Sequence, residues 1–471
     1  MVARLKAIAS SGACKVVMLL VLACVIRVLH IWTGGYHVIN HDSFFFHQCA
    51  EWVGCKCASV PVQGSGLVYP LWFTGEVIGL ETASIVLPLV LTVLMGLVLY
   101  WFAHKQWGQT IALWSLFAYV VAWPAIFAGY AGMLDRDLLC VLLVTIGMIG
   151  MHDGRLWLTV LAMIGLLVLW SWLGVAVLVT LIVGNYALHV ALRKPAVIPA
   201  SVMLCMGLAV LILVVRHDDI WQQFKWAFSG QTVQEAGHNP FYELAAYWSL
   251  VIPLGAGAAV MTRNKDHLFI LSWALTGFLM GFIAQRLVIF AIPAMCVVVA
   301  FGMEFVWHRI RRVAVVCVVV AIILGLFIGI RPPANAVMSQ DWADACYWLK
   351  DNAPPKAVVM SAWDNGFWIW DVAERTPYVH NGQHSPEQDQ TVFGVYCATD
   401  EAACLVARDE VDYIVMSRRE ANYWESITAR AGYEGPPEDT LYYRASRGAN
   451  TDCLRQVYRN ETVVILEVQP W

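Results

Sequence analysis

Carboxylates, an arginine and a histidine stand at the few places in this chain where apolar sequence gives way to polar. Asp42 lies in "INHDSFFFHQCAEW", Asp135 and Asp137 in "GMLDRDLL", and Glu235 in "SGQTVQEAGHNP". Carboxylate oxygens are the hard ligands that Mg2+ and Mn2+ take. In extended backbone Asp135 and Asp137 would point the same way, because strand side chains repeat every two residues. A competing reading puts them at the N-terminus of the next helix, where they complement its dipole. Arg286, beside Gln285, is the residue type that clamps a phosphate bidentately, or else an interfacial anchor. His384 ends the polar turn "HNGQH". In "SAWDNGFWIW", Trp363 and Asp364 stand in a turn ringed by aromatics. Taken alone, Asn365-Gly366 in that stretch reads as a hairpin turn.

Long apolar segments must position these groups. The chain has 471 residues, of which 59% are hydrophobic and 14% charged, against about 25% charged in soluble domains. Apolar runs long enough to cross a bilayer recur between Val16 and Ile330; from Arg331 onward charge and turn residues return. The pattern predicts about eleven spans, near 14–33, 82–103, 108–129, 138–152, 156–171, 173–191, 197–215, 244–262, 267–285, 286–306 and 313–330. The fold class expected is an α-helical multi-spanning membrane domain, 1–331, followed by a mixed α/β soluble domain, 332–471.

Orientation follows from the distribution of basic residues. Arg4, Lys6 and Lys15 precede the first span, and Lys105, Arg155, Arg193, Lys194, Arg263, Lys265, Arg309, Arg311 and Arg312 occupy alternate loops. The positive-inside rule puts all of these on the cytoplasmic side. The loops 34–81, 130–137 and 216–243 and the soluble domain are then external. Asp42, Asp135, Asp137 and Glu235 all fall on that outer side, where carboxylates near a bilayer are costly unless paired or metal-bound.

Other classes are weighed on the same features. The net charge of −4, with no basic patch interleaved with aromatics, argues against nucleic-acid binding. A transporter would place its charges at mid-span, often near broken helices, whereas here they cluster at outer span ends. Of thirteen cysteines, Cys346, Cys397, Cys404 and Cys453 fall in the soluble part and Cys49, Cys55 and Cys57 in the first loop. In an oxidising compartment disulfides are expected there, with the pairing left open.

Together these motifs resemble the catalytic subunit of N-linked oligosaccharyltransferase, particularly the single-subunit bacterial form. Asp42 matches the family's first-loop aspartate, "AGMLDRD" its D-x-D loop, "TVQE" (Thr232 to Glu235) its T-I-x-E motif, and Arg286 through Pro293 its R-x-x-x-x-x-x-P. "AWDNG" matches the signature W-W-D-Y-G, with Ala362 in place of the first Trp and Asn365 in place of Tyr. "REANYWESI", with Glu420 and Ile427, corresponds to a family helix that bears an acid and a later apolar residue.

The resemblance implies a GT-C fold and a reaction that moves an oligosaccharide from a polyprenyl pyrophosphate carrier to the Asn of an Asn-x-Ser/Thr acceptor polypeptide. It implies Asp42 and Glu235 as catalytic residues and Mg2+ or Mn2+ held by Asp42, Asp135, Asp137 and Glu235. Trp363, Asp364 and Ile427 would bind the sequon, and Arg286 and His384 the lipid pyrophosphate. A single subunit among membrane lipids, in a bacterial inner membrane with the soluble domain periplasmic, is expected. Another GT-C lipid-linked sugar transferase is the alternative; "TVQE" and "AWDNG" distinguish the two. Some bacterial members read an acidic residue upstream of the sequon with an arginine beyond T-I-x-E. Here "AGHNPFYELAAYWSL" holds no Arg or Lys and only His238, so a bare sequon should suffice. The chain carries its own sequon, Asn460-Glu461-Thr462.

Overall fold

A computed structural model describes residues 11–34, 50, 68–122, 125–126, 136–168, 172–191, 257–258, 260–261, 267–280, 285–330, 338–380, 386–407, 410–448 and 453–469. The described residues fall into two units, a helical unit over 11–34 and 68–330 and a C-terminal unit over 338–469 that also takes in Ala50.

In the helical unit, Gly12–Leu29, Leu80–Trp107 and Leu287–Arg309 are long and apolar enough to cross a membrane, and five shorter apolar helices accompany them. Burial separates their roles. The Leu287–Arg309 segment is 89% buried and forms the centre of the unit, whereas Gly12–Leu29 is only 22% buried. Val17, Met18, Val21, Val316, Ile323 and Phe327 are exposed apolar side chains, as suits surfaces bathed in lipid. Asn185 crosses between helices to donate to Ser272 Oγ and, at 3.3 Å, to the Phe269 carbonyl, a polar tie of the sort that membrane helices use.

Three departures from the expected spans have physical causes. Within 108–129 the helix Gln109–Val121 stops at Ala122, which is extended, and residues 125–126 are helical again; the sequence has Pro124 in between, which has no N–H to continue the ladder. Within 34–81, residues Val68–Ile78 form a helix, and Gly79, at φ 83°, turns the chain into Leu80–Trp107. The span expected at 286–306 begins as a 3-10 turn, Gln285–Ala291, before the α-helix Ile292–Arg309 with Pro293 in its first turn. The spans expected at 197–215 and, for the most part, 244–262 lie outside the described residues.

The C-terminal unit is three-layered. Its five-stranded sheet runs β2-β1-β3-β5-β4, with β1 at Val358–Met360, β2 at Thr376–Pro377, β3 at Tyr413–Ser417, β4 at Leu454–Arg459 and β5 at Val463–Val468. β1 is parallel to β2 and β3, and β5 is antiparallel to β3 and β4. Alternation along the strands makes two cores. Met360, Ile414, Met416, Val464 and Leu466 pack with Val392, Tyr396, Ile427 and Leu441 on one face. Val359, Tyr413, Val415, Val463 and Ile465 pack with Trp342, Leu349, Phe367 and Trp368 on the other. Cys404 and Cys453 form a disulfide across 49 residues; closing a loop of that length is worth on the order of 4 kcal/mol in the chain-entropy account. Such a bond belongs to an oxidising compartment.

Candidate functional site

The turn of interest begins where β1 ends. Ala362 is extended, Trp363–Asn365 make one turn of 3-10 helix, and Gly366–Asp371 continue as α-helix. The hairpin reading of Asn365-Gly366 does not apply: Asn365 has φ −93° and Gly366 φ −58°, both right-handed. Glycine is needed there for closeness instead. A Cβ on Gly366 would lie 2.2 Å from the Val379 carbonyl oxygen and 2.6 Å from His380 Cβ. His380 in turn stands 5.1 Å from the rings of both Phe367 and Trp370. Ala362 is buried in the apolar cluster of Met360, Val392 and Tyr396, against which Trp363 packs half-buried. Asp364 is 8% exposed and Asn365 fully buried.

A second turn leaves β3 beside the first. Because β1 and β3 are adjacent and parallel, with Met360 opposite Ile414, both turns emerge from the same end of the sheet. That end is where open α/β sheets hold ligands. After Ser417 the chain makes a 3-10 turn, Arg418–Tyr423, and then the α-helix Trp424–Ala431. Glu420 and Ile427, expected on one helix, therefore sit on two successive elements. Ile427 is 1% exposed within the same cluster as Ala362 and Tyr396.

Glu420 is the residue that the sequence reading left without a role. It is fully buried. Its Oε1 accepts from Asn365 Nδ2 at 2.9 Å, and its Oε2 accepts from Ser417 N at 2.8 Å and Ser417 Oγ at 2.6 Å. Burial pushes its pKa up to about 7; the negative charge of Asp364 pushes the same way, and the Ser417 hydrogen bonds oppose both. Tyr442 donates to the Ser417 carbonyl at 2.7 Å and stacks on Trp424 with ring centroids 4.8 Å apart. The acid of "REANYWESI" was visible in the sequence; its partner, 55 residues upstream, was not.

In the helical unit, Asp137 lies half-buried in the first turn of the helix Arg136–His152, the placement that complements a helix dipole. The backbone of Arg286 lies in the 3-10 turn Gln285–Ala291. That turn is fixed by Trp273, whose Nε1 donates to the Phe290 carbonyl at 2.9 Å, and by Gly277, where a Cβ would approach Ala291 Cβ to 2.8 Å. The side chain of Arg286 and the residues Asp42, Asp135, Glu235 and His384 lie outside the described residues. Of the expected metal ligands only Asp137 is described, and among the described residues no three His, Cys, Asp or Glu side chains cluster to hold a metal.

Arg27 is a residue the sequence reading passed over, although it is the one charge inside the first apolar run. It is fully buried, donates to the carbonyls of Ala23 at 3.1 Å and Ala125 at 2.8 Å, and lies 5.7 Å from the centre of the Tyr119 ring. It thereby joins the first helix to the chain that leads toward the D-x-D segment. Lys105, in the last turn of the helix Leu80–Trp107, pairs with Asp153, in the turn after the helix Arg136–His152, at 2.6 Å, so these two helix ends share a side.

The chain's own sequon is committed to structure. Asn460 Nδ2 donates to the Asp341 carbonyl at 2.7 Å and to Tyr458 Oη at 3.1 Å, and its Oδ1 accepts from Thr462 N and Val463 N. Thr462 Oγ1 donates to Asp341 Oδ2 at 2.7 Å.

No family model matches the chain. It is 32% identical over 81 residues to the STT3B subunit of dolichyl-diphosphooligosaccharide–protein glycosyltransferase from Oryza sativa subsp. japonica. That match spans 17% of this chain and only 11% of the rice protein's length. The structural likenesses are broader. The Archaeoglobus fulgidus oligosaccharyltransferase, tethered to an acceptor peptide containing an NVT sequon, superposes with a TM-score of 0.74 at 13% identity, over 96% of this chain and 80% of that one. The same enzyme in complex with Zn and sulfate gives 0.68 at 14% identity, over 95% and 79%. ArnT from Cupriavidus metallidurans, bound to undecaprenyl phosphate, gives 0.59 at 12% identity, over 96% and 97%. These likenesses establish the architecture, and the chain has the GT-C fold shared by the archaeal oligosaccharyltransferase and ArnT.

Proposed function

We propose that this chain is an oligosaccharyltransferase, which moves a glycan from a polyprenyl pyrophosphate carrier to the Asn of Asn-x-Ser/Thr in acceptor polypeptides. The observation that carries the reading is the Trp363–Asp364 turn: a buried carboxylate beside a half-exposed indole, at the ligand-binding end of the sheet, in a chain with this fold. A threonine or serine hydroxyl can donate to Asp364, while Trp363 and the Ile427 cluster meet its methyl. Binding there delivers the Asn in a fixed orientation, which removes much of the entropic barrier to attack.

An amide nitrogen is a poor nucleophile because its lone pair is delocalised; full rotation about the C–N bond costs about 18–20 kcal/mol. In this reading Asp42 and Glu235 each accept an N–H of the acceptor amide and stabilise a twisted form. Arg286 and His384 offset charge on the departing pyrophosphate. Asp42, Asp135, Asp137 and Glu235 would hold Mg2+ or Mn2+, which supplies Lewis-acid stabilisation of developing charge. The chain would act as a single subunit in a bacterial inner membrane, with its C-terminal unit periplasmic, and would need no acidic residue upstream of the sequon.

Asp42→Asn and Glu235→Gln keep size and remove charge. Each should nearly abolish transfer from lipid-linked donor to an Asn-x-Thr peptide at saturating Mn2+. Near-normal turnover in either variant would defeat the mechanism. A GT-C transferase with another acceptor would consume the donor and leave the peptide unmodified.

A further inference from the structure

We propose that Glu420 is a positioning residue for acceptor recognition: it fastens the Trp363–Asp364 turn to the end of β3 through Asn365 and Ser417. The inference rests on the reading of the chain as an oligosaccharyltransferase and deepens it.

Asn365 follows Asp364 directly, so whatever holds its side chain sets the pitch of the 3-10 turn that presents Trp363 and Asp364. The side-chain tie runs through Nδ2 to Glu420 Oε1; the Oδ1 of Asn365 is buried and accepts no hydrogen bond among the described residues. The other carboxylate oxygen is anchored twice on Ser417, at the last residue of β3. One side chain thus bridges two turns that backbone pairing alone brings only side by side. The groups that face Glu420 are Ser417, Asp364, Tyr396 and Tyr442.

A buried carboxylate is an expensive way to join two turns, since apolar packing of similar volume is often as stable. What it supplies is direction. It accepts from fixed donors, and it stands near Asp364, whose charge it feels. A Thr or Ser hydroxyl donating to Asp364 would draw off part of that repulsion, so acceptor binding and the Glu420 bridge would reinforce each other.

The test uses the full chain with lipid-linked donor and a fluorescent Asn-x-Thr peptide. Glu420→Ala should raise the peptide KM by about tenfold or more with kcat changed by less than about threefold. Glu420→Gln should stay within about threefold of the parent KM: its amide oxygen can accept from Ser417, and its NH2 can donate to Asn365 Oδ1 once the Asn365 amide turns over. Asn365→Ala should reproduce the KM effect, and the double variant Glu420→Ala/Asn365→Ala should be no worse than either single one, as coupled partners require. Should Glu420→Ala not fold, the Gln variant and Asn365→Ala carry the same contrast. An unchanged KM in Asn365→Ala, additive effects in the double variant, or loss of activity in Glu420→Gln equal to that of Glu420→Ala would overturn the proposal while leaving the oligosaccharyltransferase reading intact. A parent chain that transfers nothing to the peptide would sink that reading and the proposal with it.

Discussion

Asn365 donates to Glu420 at 2.9 Å across 55 residues of sequence, and both side chains are buried. The bond exists because β1 and β3 lie parallel and adjacent, so that the turns leaving them share one end of the sheet. Asp364 stands in the first of those turns. Asp364→Ala should weaken binding of Asn-x-Thr peptide and erode the preference for Thr over Ala at the third position. A hydrogen bond to a charged group contributes about 1.5–3 kcal/mol, or about ten- to a hundredfold in affinity. Competition binding with the two peptides checks it, and full discrimination in the variant would remove Asp364 from the pocket.

Glu420 also makes stability depend on pH. Its folded pKa of about 7 exceeds the ordinary value of 4.5, so between those values the native state holds a proton that the unfolded chain has released. The stability gained this way is fully present below pH 4.5 and is lost as pH rises through 7. The melting midpoint of the C-terminal unit in the intact chain should fall as pH rises from 4.5 to about 7, and Glu420→Gln should flatten that fall. A parent midpoint that rises over the interval, or an equal slope in the variant, would contradict it.

Two glycines should respond oppositely to alanine. At Gly366 the new Cβ would meet the Val379 carbonyl and His380 backbone, whereas at Gly394, inside the helix Pro386–Cys397, it meets nothing within 4 Å. Gly366→Ala should destabilise by about 2 kcal/mol or more through forced backbone displacement. Gly394→Ala should stabilise by about 0.5–1 kcal/mol through helix propensity. Thermal denaturation of the two variants distinguishes steric from conformational glycine.

Much of this architecture is readable from residues in order, because it depends on local pattern. The apolar runs mark the helices, and the return of charge after Arg331 marks the α/β part. The Trp363–Asp364 turn stands out by its types alone. What the pattern cannot carry is partnership across distance. Asn365 looks like half of an Asn-Gly hairpin until Val379 and His380 crowd Gly366 into a helical start. Glu420 looks like a helix acid until the chain leaves β3 as the 3-10 turn Arg418–Tyr423 and starts the α-helix that bears Ile427 only at Trp424. Asp137 reads equally as a loop ligand or a helix-start acid, and the structure places it in a helix's first turn. The Cys404–Cys453 pairing likewise depends on the helix Asp400–Ala407 meeting the bend just before β4, 49 residues along the chain.

The sequon at Asn460 should remain unmodified in chain that is active on peptides. Its amide and its Thr462 hydroxyl already serve the turn between β4 and β5 and the backbone and side chain of Asp341. Offering them to an active site would mean opening that turn and leaving polar groups unpaired, at about 1–3 kcal/mol each. Intact-mass analysis of chain coexpressed with a lipid-linked donor should show no glycan on Asn460, and substantial occupancy would show that the turn opens freely.

Transfer itself is the most direct test of the account. The purified chain, given lipid-linked oligosaccharide, Mn2+ and two fluorescent peptides that differ only as Asn-x-Thr and Asn-x-Ala, should glycosylate the first at least about a hundredfold faster than the second and lose activity when the metal is chelated. Equal modification of both peptides, or donor consumed with neither peptide modified, would contradict the assignment of a sequon-reading oligosaccharyltransferase.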